Sequence, residues 1–191
     1  RRDRYVYYPD CASVPEQSAV MISGRSYTIS AGVHVATPDA AGVIFAHGGI
    51  AGGHSLFVQD QRLTYVFNWV GTHLQTITAD RAIEPGAHVV TAEFVVEGRS
   101  EDPMMAGARG TLTLYVDGEA VGAGSIVTQP GLFCAVGDGL CVGRDDASNQ
   151  GGIEPDGVLD SERRHLLEER HRLRGKPHAR RPRNGGGHVR H

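Results

Sequence analysis

Lysine is nearly absent from this 191-residue chain: Lys176 is its single copy, against 18 Arg. Cysteine and tryptophan are scarce too, with three and one copies. Three cysteines, Cys11, Cys134 and Cys141, are too few for the disulfide framework of a small secreted scaffold. Cys134 and Cys141 are separated by six residues and form neither a Cys-x-x-Cys redox motif nor half of a zinc motif, so they read as small buried residues. No run approaches the roughly 20 apolar residues that a membrane-crossing helix needs, and no membrane partner is expected. The N-terminal Arg-Arg-Asp-Arg passes directly into aromatic residues instead of an apolar segment. No signal peptide is therefore expected, and the cytoplasm is the default location. The first residue is Arg1 and not Met, as in a fragment or a processed chain. A 3.6-residue apolar stripe is missing before residue 158, which argues against helical bundles and helix-covered sheets.

What the chain has is glycine, 26 residues, and a hydrophobic fraction of 40%, enough for a real core broken by many turns. Its net charge of −3 conceals two unlike parts. Residues 1–157 carry 9 Arg against 18 acids, a formal charge of −9, whereas residues 158–191 carry 10 basic residues against 4 acids, a charge of +6. The body and the tail are therefore separate units, 1–157 and 158–191.

The body alternates. Tyr27, Ile29, Ala31, Val33 and Val35 fall on one face of an extended segment, with Ser26, Thr28, Ser30 and His34 on the other. Leu63, Tyr65, Phe67 and Trp69 repeat the pattern, as do Val90, Ala92, Phe94 and Val96, and then Leu112, Leu114 and Val116. Shorter apolar runs occur at Val43–Ala46, Leu56–Val58, Val121–Val127 and Leu132–Val136. Turn chemistry lies between them: Asp117-Gly118 suits a type I′ hairpin, Asp60-Gln61-Arg62 separates two strands, and Pro85-Gly86, Pro130-Gly131 and Gly137-Asp138-Gly139 end others. Some ten short strands without helices predict an all-β, two-sheet antiparallel sandwich, with a closed barrel as the alternative.

The stretch His47-Gly48-Gly49-Ile50-Ala51-Gly52-Gly53-His54 has the glycines of a phosphate loop but not its Lys-Ser/Thr, and a strand follows where a helix is required. It reads as a loop between strands. His47 and His54 flank it and could meet across a hairpin as metal ligands, but spacing supplies no third ligand, and the two read as surface or interface histidines. Glu101-Asp102 and Asp145-Asp146 lack EF-hand spacing, and no nucleophile–base motif is present. No catalytic residue and no metal ligand is assigned.

In the tail, Asp160-Ser161 can cap a helix over 161–174, ended by Gly175 and Pro177, with only Leu166, Leu167 and Leu173 as an apolar face. Beyond it, Arg, Gly, Pro and His predominate, so a mostly disordered or partly helical tail is expected. Its charge suits nucleic acid, but no aromatic residue follows Phe133 to stack on bases, and nucleic acid is not expected as a partner.

An ordered series of segments resembles the C-terminal domain of one bacterial arylsulfatase family. It begins with Tyr7-Tyr8-Pro9-Asp10 and Val14-Pro15-Glu16, then Arg25–Ile29, Gly42–Gly48 and Gly52–Leu56. Leu63–Asn68, Gly71, Pro85–His88, Gly110–Gly118 and Val142–Asp145 follow in order. The likeness covers about residues 5–148. It implies a concanavalin A-like jelly-roll accessory domain, whose partner is a catalytic sulfatase domain carrying formylglycine and a divalent metal such as calcium. The formylglycine motif, Cys/Ser-x-Pro-x-Arg, is not in this chain: Ser13-Val14-Pro15-Glu16-Gln17 has Gln17 in place of Arg. This chain is then expected to hold no cofactor and to be an inactive fragment or accessory domain. An independent carbohydrate-binding, lectin-like sandwich is the alternative. Contact with the partner domain is expected at His47, Gly48, Gly49, Gly52, Gly53 and His54, since glycines allow close backbone approach. After residue 146 the family's pattern is lost, and the Arg-rich, Gly-rich tail points to a reading-frame change within 147–158.

Overall fold

The computed structural model describes residues 4–9, 11–130 and 139–144. Two antiparallel sheets face each other. One has the order β1-β6-β7-β8 and the other β5-β4-β3-β2-β9. The strands are β1 (Tyr27–Val35), β2 (Gly42–Gly49), β3 (Gly52–Gln59), β4 (Arg62–Trp69), β5 (His73–Thr78), β6 (Gly86–Arg99), β7 (Ala108–Val116), β8 (Glu119–Thr128) and β9 (Leu140–Val142). The helical content of the described residues is one 3₁₀ turn, Glu16–Ser18. The expected two-sheet sandwich is what forms. The expected run Leu132–Val136 and the tail helix at 161–174 lie outside the described residues.

The alternation decides which faces meet. Tyr27, Ile29, Ala31, Val33 and Val35 are all buried along β1. They pair in register with the inward residues of β6, for example Tyr27 with Phe94 and Ile29 with Ala92. Leu112 and Leu114 continue the same layer on β7. Across the interior stand Leu56, Val58, Leu63, Tyr65 and Phe67 from β3 and β4. Each large apolar side chain buried here contributes about 1.5–3 kcal/mol. A one-residue slip would turn a whole row outward, so the register is strongly specified.

Turn chemistry follows the sequence at Asp117-Gly118, where both residues have positive φ, 52° and 83°, and Val116 pairs with Glu119. The β3–β4 hairpin is tighter than expected. Gln59 pairs with Arg62, so the loop is Asp60-Gln61 alone, at φ 50° and 63° without glycine. The Gly-rich segment differs from the loop expected of it. Gly48 pairs with Gly53 and Gly49 with Gly52 inside β2 and β3, and only Ile50 and Ala51 turn. The reason is steric: a Cβ on Gly48 would strike the Gly52 carbonyl oxygen, and one on Gly53 the His47 carbonyl oxygen. Two strands escape the sequence pattern, β5 and β9. β5 buries only Ile77, and β9 is three residues long.

Candidate functional site

Two places in the sandwich gather polar side chains. The first is a groove of about 320 Å³ on the outer face of β3, β4 and β5. Alternation puts Arg62, Thr64 and Val66 of β4 on that face, beside Phe57 and Gln59 of β3 and Leu74, Thr76 and Thr78 of β5. Register lines them up in rows: Phe57–Thr64–Thr78 form one, and Val66–Thr76 the next. The Thr64 hydroxyl hydrogen-bonds that of Thr78 at 3.3 Å. Arg62 Nη1 donates to the carbonyls of Ala79, at 3.1 Å, and Asp80, at 3.4 Å, which fixes the guanidinium at the groove's end. Phe57 is buried, with Val43 and Ala46, in a small apolar cluster on this outer face. Leu74 is 58% exposed. The strained Asp60-Gln61 turn closes the groove's rim, and non-glycine residues held at positive φ are frequent at binding sites.

The second place is the sandwich end formed by the β2–β3 and β4–β5 turns. His47 and His54 face each other in register across β2 and β3. Their ring centroids are 5.8 Å apart. Both rings are buried, 5% and 3% exposed, inside the sandwich rather than on its surface. This corrects the reading of them as surface histidines. Inward faces of β2 and β3 alternate with outward ones; His54 shares the parity of Leu56 on β3, and His47 shares that of Phe45 on β2, which pairs with Leu56. The exposed apolar residue of this turn is Ile50, at 64%, so the imidazoles are not available to a docking partner domain.

His54 Nδ1 hydrogen-bonds the Tyr65 hydroxyl at 2.9 Å, and that hydroxyl hydrogen-bonds Tyr27 of the opposite sheet. Burial, together with the neighbouring His47, holds His54 well below the ordinary imidazole value. Burial alone pushes His47 down to about 4. Tyr65 is raised well above the usual phenol value by burial, with Tyr27 adding to it. The Nε2 atoms of both histidines, Ser23 Oγ and Gln129 Nε2 have no hydrogen-bond partner among the described residues. All four residues line one small cavity of about 10 Å³.

Gln129 is oriented by its other atom: Oε1 accepts from the Val70 amide at 3.0 Å. Val70 has φ 43°, an outlier for a β-branched residue. Gly52 makes room for that side chain, because a Cβ there would lie 2.7 Å from both Gln129 Oε1 and Nε2. Asn68 joins the two turns, donating from Nδ2 to the carbonyls of Gly49 and Ile50, both at 3.1 Å, while Oδ1 accepts from Gly71 N at 3.0 Å.

Of the other residues singled out by sequence, Tyr65 and Phe67 are core, with Trp69 packed against it. Cys141 is buried and Cys11 exposed; Cys134 lies outside the described residues. Among the described residues no three His, Cys, Asp or Glu side chains cluster as a metal site, and no helix is long and apolar enough to cross a membrane.

No protein-family model and no curated protein matches this chain. Solved structures do match in fold. Mouse laminin alpha1 chain, domains LG4-5, aligns with a TM-score of 0.51 at 15% identity, over 86% of this chain and 37% of that one. The CBM40 of the Ruminococcus gnavus IT-sialidase aligns with a TM-score of 0.52 at 11% identity, over 88% of this chain and 89% of that one. The chain thus spans about a third of the laminin structure and nearly all of the CBM40. At these identities the likeness shows a shared two-sheet, jelly-roll sandwich fold.

Proposed function

We propose that this chain is a non-catalytic, lectin-like binding module that takes a neutral saccharide in the groove on β3, β4 and β5. The groove carries the reading. Its volume of about 320 Å³ falls in the range of roughly 300–1,000 Å³ for small-ligand sites. Its chemistry suits a sugar: hydroxyls of Thr64, Thr76 and Thr78, the Gln59 amide, and one acid and one base, Asp60 and Arg62, surround an apolar floor of Phe57 and Val66. Hydroxyl and amide groups both donate and accept, as the hydroxyls of a pyranose require. Asp60 and Arg62 offset each other, and the body's formal charge of −9 disfavours polyanions. Similarity in fold to a sialidase CBM40 supports saccharide binding as such, while the neutral character of the ligand rests on the groove's chemistry.

The test is a panel of neutral and anionic glycans probed with the wild-type chain and with Thr76→Arg. Thr76 is exposed, so this substitution fills the groove without touching the core. Retention by one or more neutral glycans, lost in Thr76→Arg, supports the reading. Silence across the panel, or binding that Thr76→Arg leaves unchanged, overturns it.

A second reading rests on the ordered motif series at residues 5–148: the module is an accessory domain of an arylsulfatase, docking on its catalytic domain through the Gly48–Gly53 turn. Ile50, the exposed apolar residue of that turn, is the one open to such a contact. Supplying a sulfatase catalytic domain in trans and comparing Ile50→Asp with wild type tests it; association that Ile50→Asp does not weaken counts against this docking face.

A further inference from the structure

The polarity of the groove on β3, β4 and β5 runs in one direction along β4. Cross-strand pairing sets Gln59 beside Arg62, Phe57 beside Thr64 and Thr78, Val66 beside Thr76, and Asn68 beside Leu74. Asp60, Arg62 and Gln59 therefore stand at one end of the lining, the threonine hydroxyls lie in the middle, and Val66 and Leu74 close the other end. Arg62 and Val66 are four residues apart, roughly 13 Å along an extended strand. That is longer than one pyranose ring, so the two ends meet different parts of a bound sugar.

The polar end suits hydroxyls. Arg62 places Nη1 on the Ala79 and Asp80 carbonyls, which leaves Nη2 and Nε to donate to a ligand. The Asp60 carboxylate accepts, and the Gln59 amide does both. The other end has no ring on which a sugar can stack. Phe57 is the aromatic residue of the lining among the described residues, and at 4% exposure it is packed with Val43 and Ala46. Stacking needs an open aromatic face. What is open there is aliphatic: Leu74, 58% exposed, and half-buried Val66. The two stand diagonally across the β4–β5 pair, a separation of about 7–8 Å that side chains still bridge. Asn68, the polar neighbour of Leu74, already has Nδ2 and Oδ1 engaged by the two turns. A hydroxyl set between Val66 and Leu74 would lose water without gaining a partner from Asn68, whereas a methyl loses nothing.

We propose that the groove selects saccharides bearing a methyl group, which sits between Val66 and Leu74 while sugar hydroxyls meet Asp60, Arg62 and Gln59. The inference rests on the saccharide reading of the groove and narrows it. Two classes of neutral sugar carry such a methyl: 6-deoxyhexoses, on C6, and N-acetylhexosamines, on the acetamide. Leu74 is the residue that sets the preference.

The test uses matched sugars on the full-length chain, read by the methyl signals of Val66 and Leu74 and by saturation transferred to the sugar. L-fucose and L-galactose differ by the C6 hydroxyl alone, as do L-rhamnose and L-mannose; N-acetylglucosamine against glucose tests the acetamide. The methyl-bearing member of at least one pair should bind tighter by about fourfold or more, the contribution of one buried methyl. Its methyl protons should receive the strongest saturation. Leu74→Thr, at an exposed strand position, should remove the preference and leave the affinity for the partner sugar unchanged. Preference in the first two pairs assigns 6-deoxyhexoses, and preference in the third alone assigns N-acetylhexosamines. Where single sugars bind too weakly to rank, the same comparison is made between panel glycans with and without a terminal methyl-bearing unit. Equal binding within every pair, or a preference that survives in Leu74→Thr, overturns the methyl seat and leaves the saccharide reading standing. Silence of the single sugars and of the whole glycan panel overturns both.

Discussion

Tyr27 on β1 and Tyr65 on β4 hydrogen-bond each other through their hydroxyls across the two sheets, and both rings are fully buried. The pair is a polar link between largely apolar inner faces. Tyr65 carries the link on to His54 at 2.9 Å. Sequence alternation alone marks both tyrosines as core; which hydroxyl finds which is a matter of how the two sheets are stacked.

Tyr65→Phe should cost about 1–3 kcal/mol in unfolding free energy, because it strands His54 Nδ1 in the core and removes the hydroxyl that bonds Tyr27. Tyr27→Phe should cost less, since His54 keeps Tyr65. The double substitution should cost less than the two together, because each single substitution already removes the same hydroxyl–hydroxyl hydrogen bond. Denaturant unfolding of the three variants checks this; strictly additive losses would show that the hydroxyls act separately.

Acid should weaken the chain through its two buried histidines. Above the ordinary value of 6.5 both histidines are neutral in the folded and unfolded states alike. Between 6.5 and about 4 the unfolded chain binds a proton at His47 that the folded chain refuses, and His54 behaves in the same sense. Stability is therefore complete above pH 6.5 and lost as pH falls, at up to about 1.4 kcal/mol per pH unit for each histidine. Urea unfolding at pH 7, 6 and 5 should show this slope, and His47→Gln should reduce it. A flat profile from pH 7 to 5 would contradict the burial of the two rings.

Gly48→Ala and Gly53→Ala should each destabilise by at least about 2 kcal/mol. Both positions have positive φ, 101° and 145°, and each new Cβ meets a backbone carbonyl of the facing strand. Gly118→Ala, at φ 83° with open space around it, is the control and should cost about 1 kcal/mol. Equal losses at the three positions would show that φ alone, and not cross-strand contact, sets the cost.

The purified chain should hydrolyse no aryl sulfate above buffer, with or without calcium, since no Cys/Ser-x-Pro-x-Arg string is present to yield the formylglycine nucleophile. Turnover that survives repurification would contradict the non-catalytic reading.

The sandwich was legible in the sequence wherever one face of a strand is buried and the other is not. β1, β6 and β7 show that contrast, and their inward residues are those the alternation names, whereas in β4 the outward Thr64 and Asn68 are buried as well. β5 was not legible because an edge strand that buries only Ile77 leaves no period to read. For the same reason the groove was hidden. Its walls are the outward Thr, Val and Arg residues of β4 and β5, which look like any solvated strand face until register sets them in rows. The histidine site was half legible. The spacing of His47 and His54 suggested that they could meet across a hairpin. Their inward direction follows from parity with Phe45 and Leu56, but Ser23 and Gln129, distant in sequence, reach the cavity only through the tertiary fold.

Saccharide recognition in the groove is tested most directly by titrating the isotope-labelled full-length chain with a soluble neutral oligosaccharide chosen from the glycan panel, while recording backbone amide shifts. Saturable shifts confined to Phe57–Val66 and Leu74–Thr78 are predicted. Shifts at the Gly48–Gly53 turn instead, or no saturable shift with any panel member, would contradict it.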